Sequence, residues 1–421
     1  MVLSVGYIKE KWQHTGFQKY LRNTGWMFFG RLFILLTSFF IGLFVARYLG
    51  PEKYGVINYT LSFVMLFSFL SNLGIDNLLV RNLVSDRQSE SKIIGNSFFV
   101  KLIGGIFVVF AATFSSLLIK NDLYTTILIF LFSLNFIVVS LNVIDSYFQS
   151  IIEYKYIIIS QISSTVFVSI LKIFFVIMGL GAGWFVLLLT IESIINMLML
   201  YFFFISKGKK IILVIDTQYC LSLLKNAWPL AITTAFYVIY SKIDQVIIGH
   251  MLNNNQTGLY AAGVRLAEIW YFIPSMIMGI IFPSLVEAKK RNRDLFNLRI
   301  KKVSFFILAI SLAFSLIQFL TADFIVKILF GQKYTDSITV LQIYTWAISI
   351  LVLINIIQQY LTITNRLKTI MFASIFGAAV NVLLNLYLIP IYGINGSAFA
   401  TLISYFTIPI FIVIFNKKHE D

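Results

Sequence analysis

Charged side chains stand inside stretches of this chain that are otherwise apolar. The basic ones are Arg31, Lys101, Lys172, Lys242 and Arg265, and the acidic ones are Asp145, Glu192, Asp244 and Glu268. In a bilayer such groups cost roughly 3 kcal/mol or more each, so they face a bundle interior or a wet cavity and mark an ion or substrate path. A guanidinium offers paired donors that match phosphate geometry, and an ammonium offers a point charge. The basic residues are therefore candidate binders of an anionic substrate. The acids are candidates for ion coupling or ion pairing, because desolvation favours the protonated form of a carboxylate. Arg31 has no acid in its own apolar stretch. Arg265 and Glu268 are three apart and share a helix face, so they also read as a pair. Lys242 and Asp244 are two apart and cannot share one.

Polar residues recur around these charges at helical spacing. Thr233, Tyr237 and Tyr240 lie on one stripe with Asp244. Asn142 shares a face with Asn135, Asp145 and Gln149, Asn355 with Gln358 and Thr362, and Asn381 with Asn385. Thr233, Tyr237, Tyr240, Asn142, Asn355 and Asn381 are read as cavity-lining. The competing reading makes such residues interhelical glue, since spans in lipid associate through Ser, Thr, Asn and Gln hydrogen bonds.

The elements that hold these residues follow from composition. The chain has 421 residues, 59% hydrophobic and 12% charged; soluble domains carry about 25% charged residues. Mean hydropathy is +0.88. That excludes a water-soluble fold and leaves an all-α polytopic membrane protein. About twelve stretches are long and apolar enough to cross roughly 30 Å of hydrocarbon. The more polar connector 206–226 divides them into halves, a common transporter plan. The expected organisation is an N-terminal segment 1–25, a half at 26–205, the connector, a half at 227–415, and a tail 416–421.

The net charge of +15 would suggest nucleic acid in a soluble protein. Here topology accounts for it. Alternate connectors carry Arg81, Arg87, Lys92, Lys155, the lysines at 207, 209 and 210, Lys225, the basic run from Lys289 to Lys302, Arg366 and Lys368. The intervening ones carry only Arg47, Lys53, Lys120, Lys327 and Lys333. The positive-inside rule then puts both termini in the cytoplasm. The apolar stretch after residue 25 is read as a retained span, with no convincing small-residue cleavage site.

Several chemistries have no motif. One Cys, Cys220, and three scattered His (His14, His250, His419) exclude a disulfide framework and argue against a zinc site. No G-x-x-x-x-G-K-[ST], H-E-x-x-H or G-x-S-x-G occurs, so no nucleotide, zinc-protease or serine-hydrolase site is expected. No cofactor and no enzymatic activity are expected.

Three stretches carry a family resemblance: NTGWMFFGRL, ARYLGPEKYGVINY and SNLGIDNLLVRNL within 23–81; DQVIIGHMLNNNQTGLYAAGVRLAE at 244–268; and NVLLNLYLIPIYGINGSAFATLIS at 381–404. Together they resemble the Wzx-type polysaccharide-exporter flippases of the multidrug/oligosaccharidyl-lipid/polysaccharide (MOP) superfamily, along the whole chain in span order. Pro51 and Gly55 bracket a tight external turn, and the turn glycines read as packing signatures. The resemblance implies a MATE/MOP-like fold of about twelve helices in two six-helix halves. It also implies translocation of an undecaprenyl-pyrophosphate-linked oligosaccharide across the bacterial inner membrane for O-antigen, capsule or other surface polysaccharide. Partners would be that lipid-linked sugar, the bilayer, and the polysaccharide polymerase and chain-length regulator of the pathway. Relatives place basic residues of the first and eighth spans in the cavity, positions that Arg31 and Arg265 match here. Some also carry deep cations in the second span; this chain has only Arg81, at its end. The alternative reading is a cation-coupled drug exporter of the same fold, with Asp244 and Glu268 as proton carriers.

Overall fold

The structure is a computed structural model and describes residues 15–364 and 366–417. Most of the N-terminal segment and the last residues of the tail lie outside the described residues. All regular structure among the described residues is helical. Among the described residues, ten helices are long and apolar enough to cross a membrane. Side chains such as Phe29, Phe110, Phe305 and Phe324 stand exposed, which a bilayer tolerates and water does not.

Two helices, Thr15–Met65 and Leu367–Lys417, run for 51 residues each. Each is two helices merged across a kink at a glycine with positive φ, Gly50 (72°) and Gly393 (58°). Only glycine enters that region without a Cβ penalty. Pro51 follows Gly50 and opens the next helix, where its fixed φ fits and its missing N–H costs nothing. The turn is therefore made by Gly50 and Pro51. Gly55 lies inside the following helix and serves packing.

The chain divides into two compact units. One takes in the chain up to Val45 together with Phe67–Ala231; the other takes in Ala46–Leu66 and everything from Ile232.

In the first unit, Ile75, Leu79, Val143, Phe148, Leu200 and Phe204 are buried in a common core. Close helix approach is set by glycine. A Cβ on Gly104 would fall 2.2 Å from the Leu70 carbonyl oxygen, and one on Gly105 2.4 Å from that of Phe136. The connector after Ser206 is strapped to this unit. Lys207 pairs with Glu153, Lys209 with Glu90, and Lys92 with Asp216 at 2.6 Å. Asn96 donates to the Val214 carbonyl and accepts from the Asp216 N–H. The hydrogen bond from Lys92 holds the half-buried Asp216 carboxyl below its ordinary range.

In the second unit, Ala46–Leu66 is bound along its length. Tyr334 Oη donates to the Ala46 carbonyl at 2.7 Å, Tyr54 packs edge-on to Tyr334, and Ser62 Oγ donates to Gln245 Oε1 at 2.8 Å. Polar glue joins the later helices: Ser315 Oγ donates to the Thr345 carbonyl, Thr345 Oγ1 donates to Gln318 Oε1, and Gln318 Nε2 donates to the Leu266 carbonyl. Such bonds are what holds spans together where lipid is as apolar as leucine.

Candidate functional site

In the second unit Asp244 is 2% exposed. It accepts hydrogen bonds from Tyr260 Oη at 2.7 Å, Thr401 Oγ1 at 2.6 Å and Asn385 Nδ2 at 3.1 Å. Asn385 Oδ1 in turn accepts from Ser397 Oγ at 2.6 Å, and Asn381 Nδ2 donates to Ser404 Oγ at 3.2 Å. Among the described residues no Lys or Arg pairs with Asp244. The result is a buried carboxylate ringed by neutral donors from separate helices. Asn381, expected in a cavity wall, is fully buried in this nest. Its helical face was read correctly, but that face meets the helix carrying Thr401 and Ser404.

Tyr240 is buried as well. It is 1% exposed, packed edge-on between Tyr237 and Tyr405 at centroid distances of 5.2 and 5.5 Å. Tyr237 is 39% exposed, and Thr233 is half-buried. Asn355, half-buried, donates to Tyr271 Oη at 3.1 Å.

Arg265 and Glu268 lie on the helix Asn254–Glu268, which gives way at Glu268 to a 3₁₀ turn, Ile269–Tyr271. Among the described residues no ion pair joins them. Glu268 stands at the end of the regular helix, and the Arg265 guanidinium reaches Tyr54 Oη at 3.5 Å instead. Lys242 is half-buried and lacks a carboxylate partner among the described residues.

In the first unit two of the cations are already engaged. Lys101, with a side chain 3% exposed, is ion-paired to Asp76, an acid the sequence reading left outside the second span. Asp145 lies within electrostatic reach of both. Lys172 pairs with Glu192 at 3.4 Å, and Glu192 also accepts from Thr165 Oγ1 at 2.9 Å. Asn142 ends a 3₁₀ stretch, Val139–Asn142, and its Oδ1 has no hydrogen-bond partner among the described residues. Arg31 differs from the lysines: it is exposed, and no carboxylate pairs with it among the described residues.

Both units therefore carry a span interrupted by 3₁₀ geometry beside an ionisable residue, Asp145 in one and Glu268 in the other. Mid-span breaks of this kind mark functional hinges and binding sites in membrane proteins. Neither break contains Gly or Pro, but Pro274 follows the second and cannot donate to the Trp270 carbonyl, a local signal for that break; the first has none.

The fold is shared with solved transporters. It is similar to the lipid II flippase MurJ in an inward closed conformation, with a TM-score of 0.74 at 14% identity over 94% of this chain and 87% of that one. It is also similar to an inward-facing multidrug-resistance MATE-family transporter of the MOP superfamily, with a TM-score of 0.72 at 12% identity over 91% and 94%. The chain belongs to the polysaccharide biosynthesis protein family, whose model matches residues 44–339. An uncharacterized membrane protein of Methanocaldococcus jannaschii is 24% identical over 49% of each chain. The "Probable low-salt glycan biosynthesis flippase Agl15" of Haloferax volcanii is 27% identical over 39% of this chain and 35% of its own. The matched regions span about half of the first relative and about a third of the second.

Proposed function

We propose that this protein flips an undecaprenyl-pyrophosphate-linked oligosaccharide from the cytoplasmic to the outer leaflet of a bacterial inner membrane by alternating access. The observation that carries the reading is Arg31, a guanidinium on a membrane-crossing helix with no carboxylate to neutralise it among the described residues. Charge left uncompensated in a span needs a counterion, and a pyrophosphate supplies one of matching geometry. Within the second unit, Arg265 and Lys242 are the basic residues that offer an anionic substrate the same kind of contact. Lys101 and Lys172, held by Asp76 and Glu192, act on it only through the field. Family membership and the glycan-flippase relative support the substrate class.

The proposed topology has about twelve crossings, the two long helices each counting twice across Gly50 and Gly393, with both termini cytoplasmic, a placement the connector charges support. The halves 26–205 and 227–415 are the proposed functional repeats, and the pathway's polymerase and chain-length regulator the proposed partners. Transport is coupled to an ion gradient through Asp244, whose ring of neutral oxygens and amides can hold a proton or a small monovalent cation.

The test is complementation of a flippase-deficient cell. Arg31→Lys should lose part of the export and Arg31→Ala nearly all, at equal membrane expression. Full export by Arg31→Ala would remove Arg31 from the site.

A further inference from the structure

The second unit contains polar groups that the nest around Asp244 does not use. Tyr240 is 1% exposed, yet its Oη has no hydrogen-bond partner among the described residues. A buried hydroxyl left unpaired costs about 1–3 kcal/mol. Beside it Tyr237 presents a partly open ring, its plane at 77° to that of Tyr240. The Tyr237 phenol lies within electrostatic reach of Tyr271 and Glu268, and that of Tyr240 within reach of Tyr237 and Tyr271. Asn355 fixes the Tyr271 hydroxyl from the other side. Glu268 is half-buried at the break in its helix and makes no hydrogen bond or ion pair among the described residues.

We infer that Tyr237, Tyr240, Glu268, Tyr271 and Asn355 form a subsite for a sugar ring of the lipid-linked substrate. The inference rests on the flippase reading above and extends it from the pyrophosphate to the glycan. The chemistry selects a polyol. A carboxylate without a partner accepts from vicinal hydroxyls, and an orphan phenol takes a donor or an acceptor. An open tyrosine face receives the C–H side of a pyranose. A phosphate is repelled by Glu268. An apolar drug would leave the buried Tyr240 hydroxyl and the half-buried Glu268 unpaired, which costs binding free energy. An organic cation would suit the rings and the acid, but Arg265 on the same helix and Lys242 on the neighbouring one oppose it.

The experiment uses the full chain in nanodiscs and native mass spectrometry with three probes. They are undecaprenyl pyrophosphate, the same lipid carrying a neutral trisaccharide, and tetraphenylphosphonium. The wild type should hold the glycosylated lipid about tenfold more tightly than the bare one, the scale of one or two hydrogen bonds to a charged group. Tyr240→Phe and Glu268→Gln should each erase most of that preference; Tyr240→Phe should leave bare-lipid binding unchanged, and Glu268→Gln, which removes a negative charge, should not weaken it. Tyr240→Phe removes only a partnerless hydroxyl, so its melting temperature should not fall, which keeps a folding defect out of the result. A preference that survives in both variants overturns the subsite and leaves the flippase reading standing. Tetraphenylphosphonium binding that disappears in Glu268→Gln overturns it in favour of an organic-cation site. Binding of neither lipid by the wild type removes the flippase reading and the subsite together.

Discussion

Gly55 and Gly258 meet backbone to backbone. A Cβ on Gly55 would fall 1.7 Å from the Asn254 carbonyl oxygen, and one on Gly258 would fall 1.9 Å from that of Pro51. Neither neighbour is the end of a flexible side chain, so the helices themselves must part. Gly55→Ala and Gly258→Ala should each destabilise the protein by about 1–3 kcal/mol, the usual cost of forcing atoms into a filled contact. Gly25→Ala, where a Cβ meets nothing within 4 Å, is the control and should be neutral or mildly stabilising. Thermal unfolding in a fixed detergent measures all three, and equal melting temperatures would refute the tight crossing.

Lys101 depends on Asp76. Lys101 is buried whereas Asp76 is 45% exposed, so removing Asp76 leaves a buried ammonium with only the field of Asp145 beside it, at a cost of about 1–3 kcal/mol. Asp76→Asn should therefore lower stability strongly. Lys101→Met combined with Asp76→Asn should recover most of it, since an apolar side chain in the Lys101 position needs no counterion. If the single variant is as stable as the wild type, Lys101 is free to serve the substrate directly.

Asp244 and Glu268 separate as carriers. Asp244→Asn turns an amide toward the Tyr260 and Thr401 donors, yet the remaining helix contacts persist. The variant should fold, with export that no longer responds to the ion gradient. Glu268→Gln should keep the gradient response and lose glycan selectivity. Export rates measured with and without an imposed gradient decide between them. Loss of gradient response in Glu268→Gln alone would move the coupling role to Glu268.

The connector strap should loosen in acid. The Asp216 carboxyl lies below its ordinary range because Lys92 hydrogen-bonds it. A depressed carboxylate contributes its stabilisation above the unfolded value, near 4, and loses it as pH falls through the lowered folded value. Protease cleavage between Lys207 and Asp216 should therefore be slow and flat from neutral pH down to about 5, and should rise below about 4. Asp216→Asn should show the acid behaviour at neutral pH. A cleavage rate independent of both changes would mean that the hydrogen bonds of Asn96 hold the connector unaided.

Charges in apolar runs were legible because each breaks a strong pattern. That is how Asp244, Lys101, Arg265 and Arg31 stood out before any coordinates. Their partners were less so. Helical spacing shows which residues share a face of one helix but not what the neighbouring helix presents to it, so the stripe of Asn381 and Asn385 gave no sign of Thr401, Ser404 and Asp244 against it. Asp76 is not among the charges inside apolar runs, yet the helix Ile75–Ser85 brings it to Lys101. The glycine kinks had a local signal in Gly50–Pro51. The 3₁₀ break at Ile269–Tyr271 had one in Pro274, which cannot donate to the Trp270 carbonyl, whereas Val139–Asn142 holds no Gly or Pro and had none.

The most direct measurement is translocation itself. Purified protein is reconstituted into liposomes with a fluorescent undecaprenyl-pyrophosphate oligosaccharide. The fraction of label protected from a membrane-impermeant quencher is then followed over time, without ATP. Wild-type protein should move the lipid well above protein-free vesicles and faster under an ion gradient, and Arg31→Ala should fall to the protein-free rate. Wild-type movement no faster than in empty vesicles, or equal movement by Arg31→Ala, would contradict the assignment of this chain as a flippase that reads pyrophosphate through Arg31.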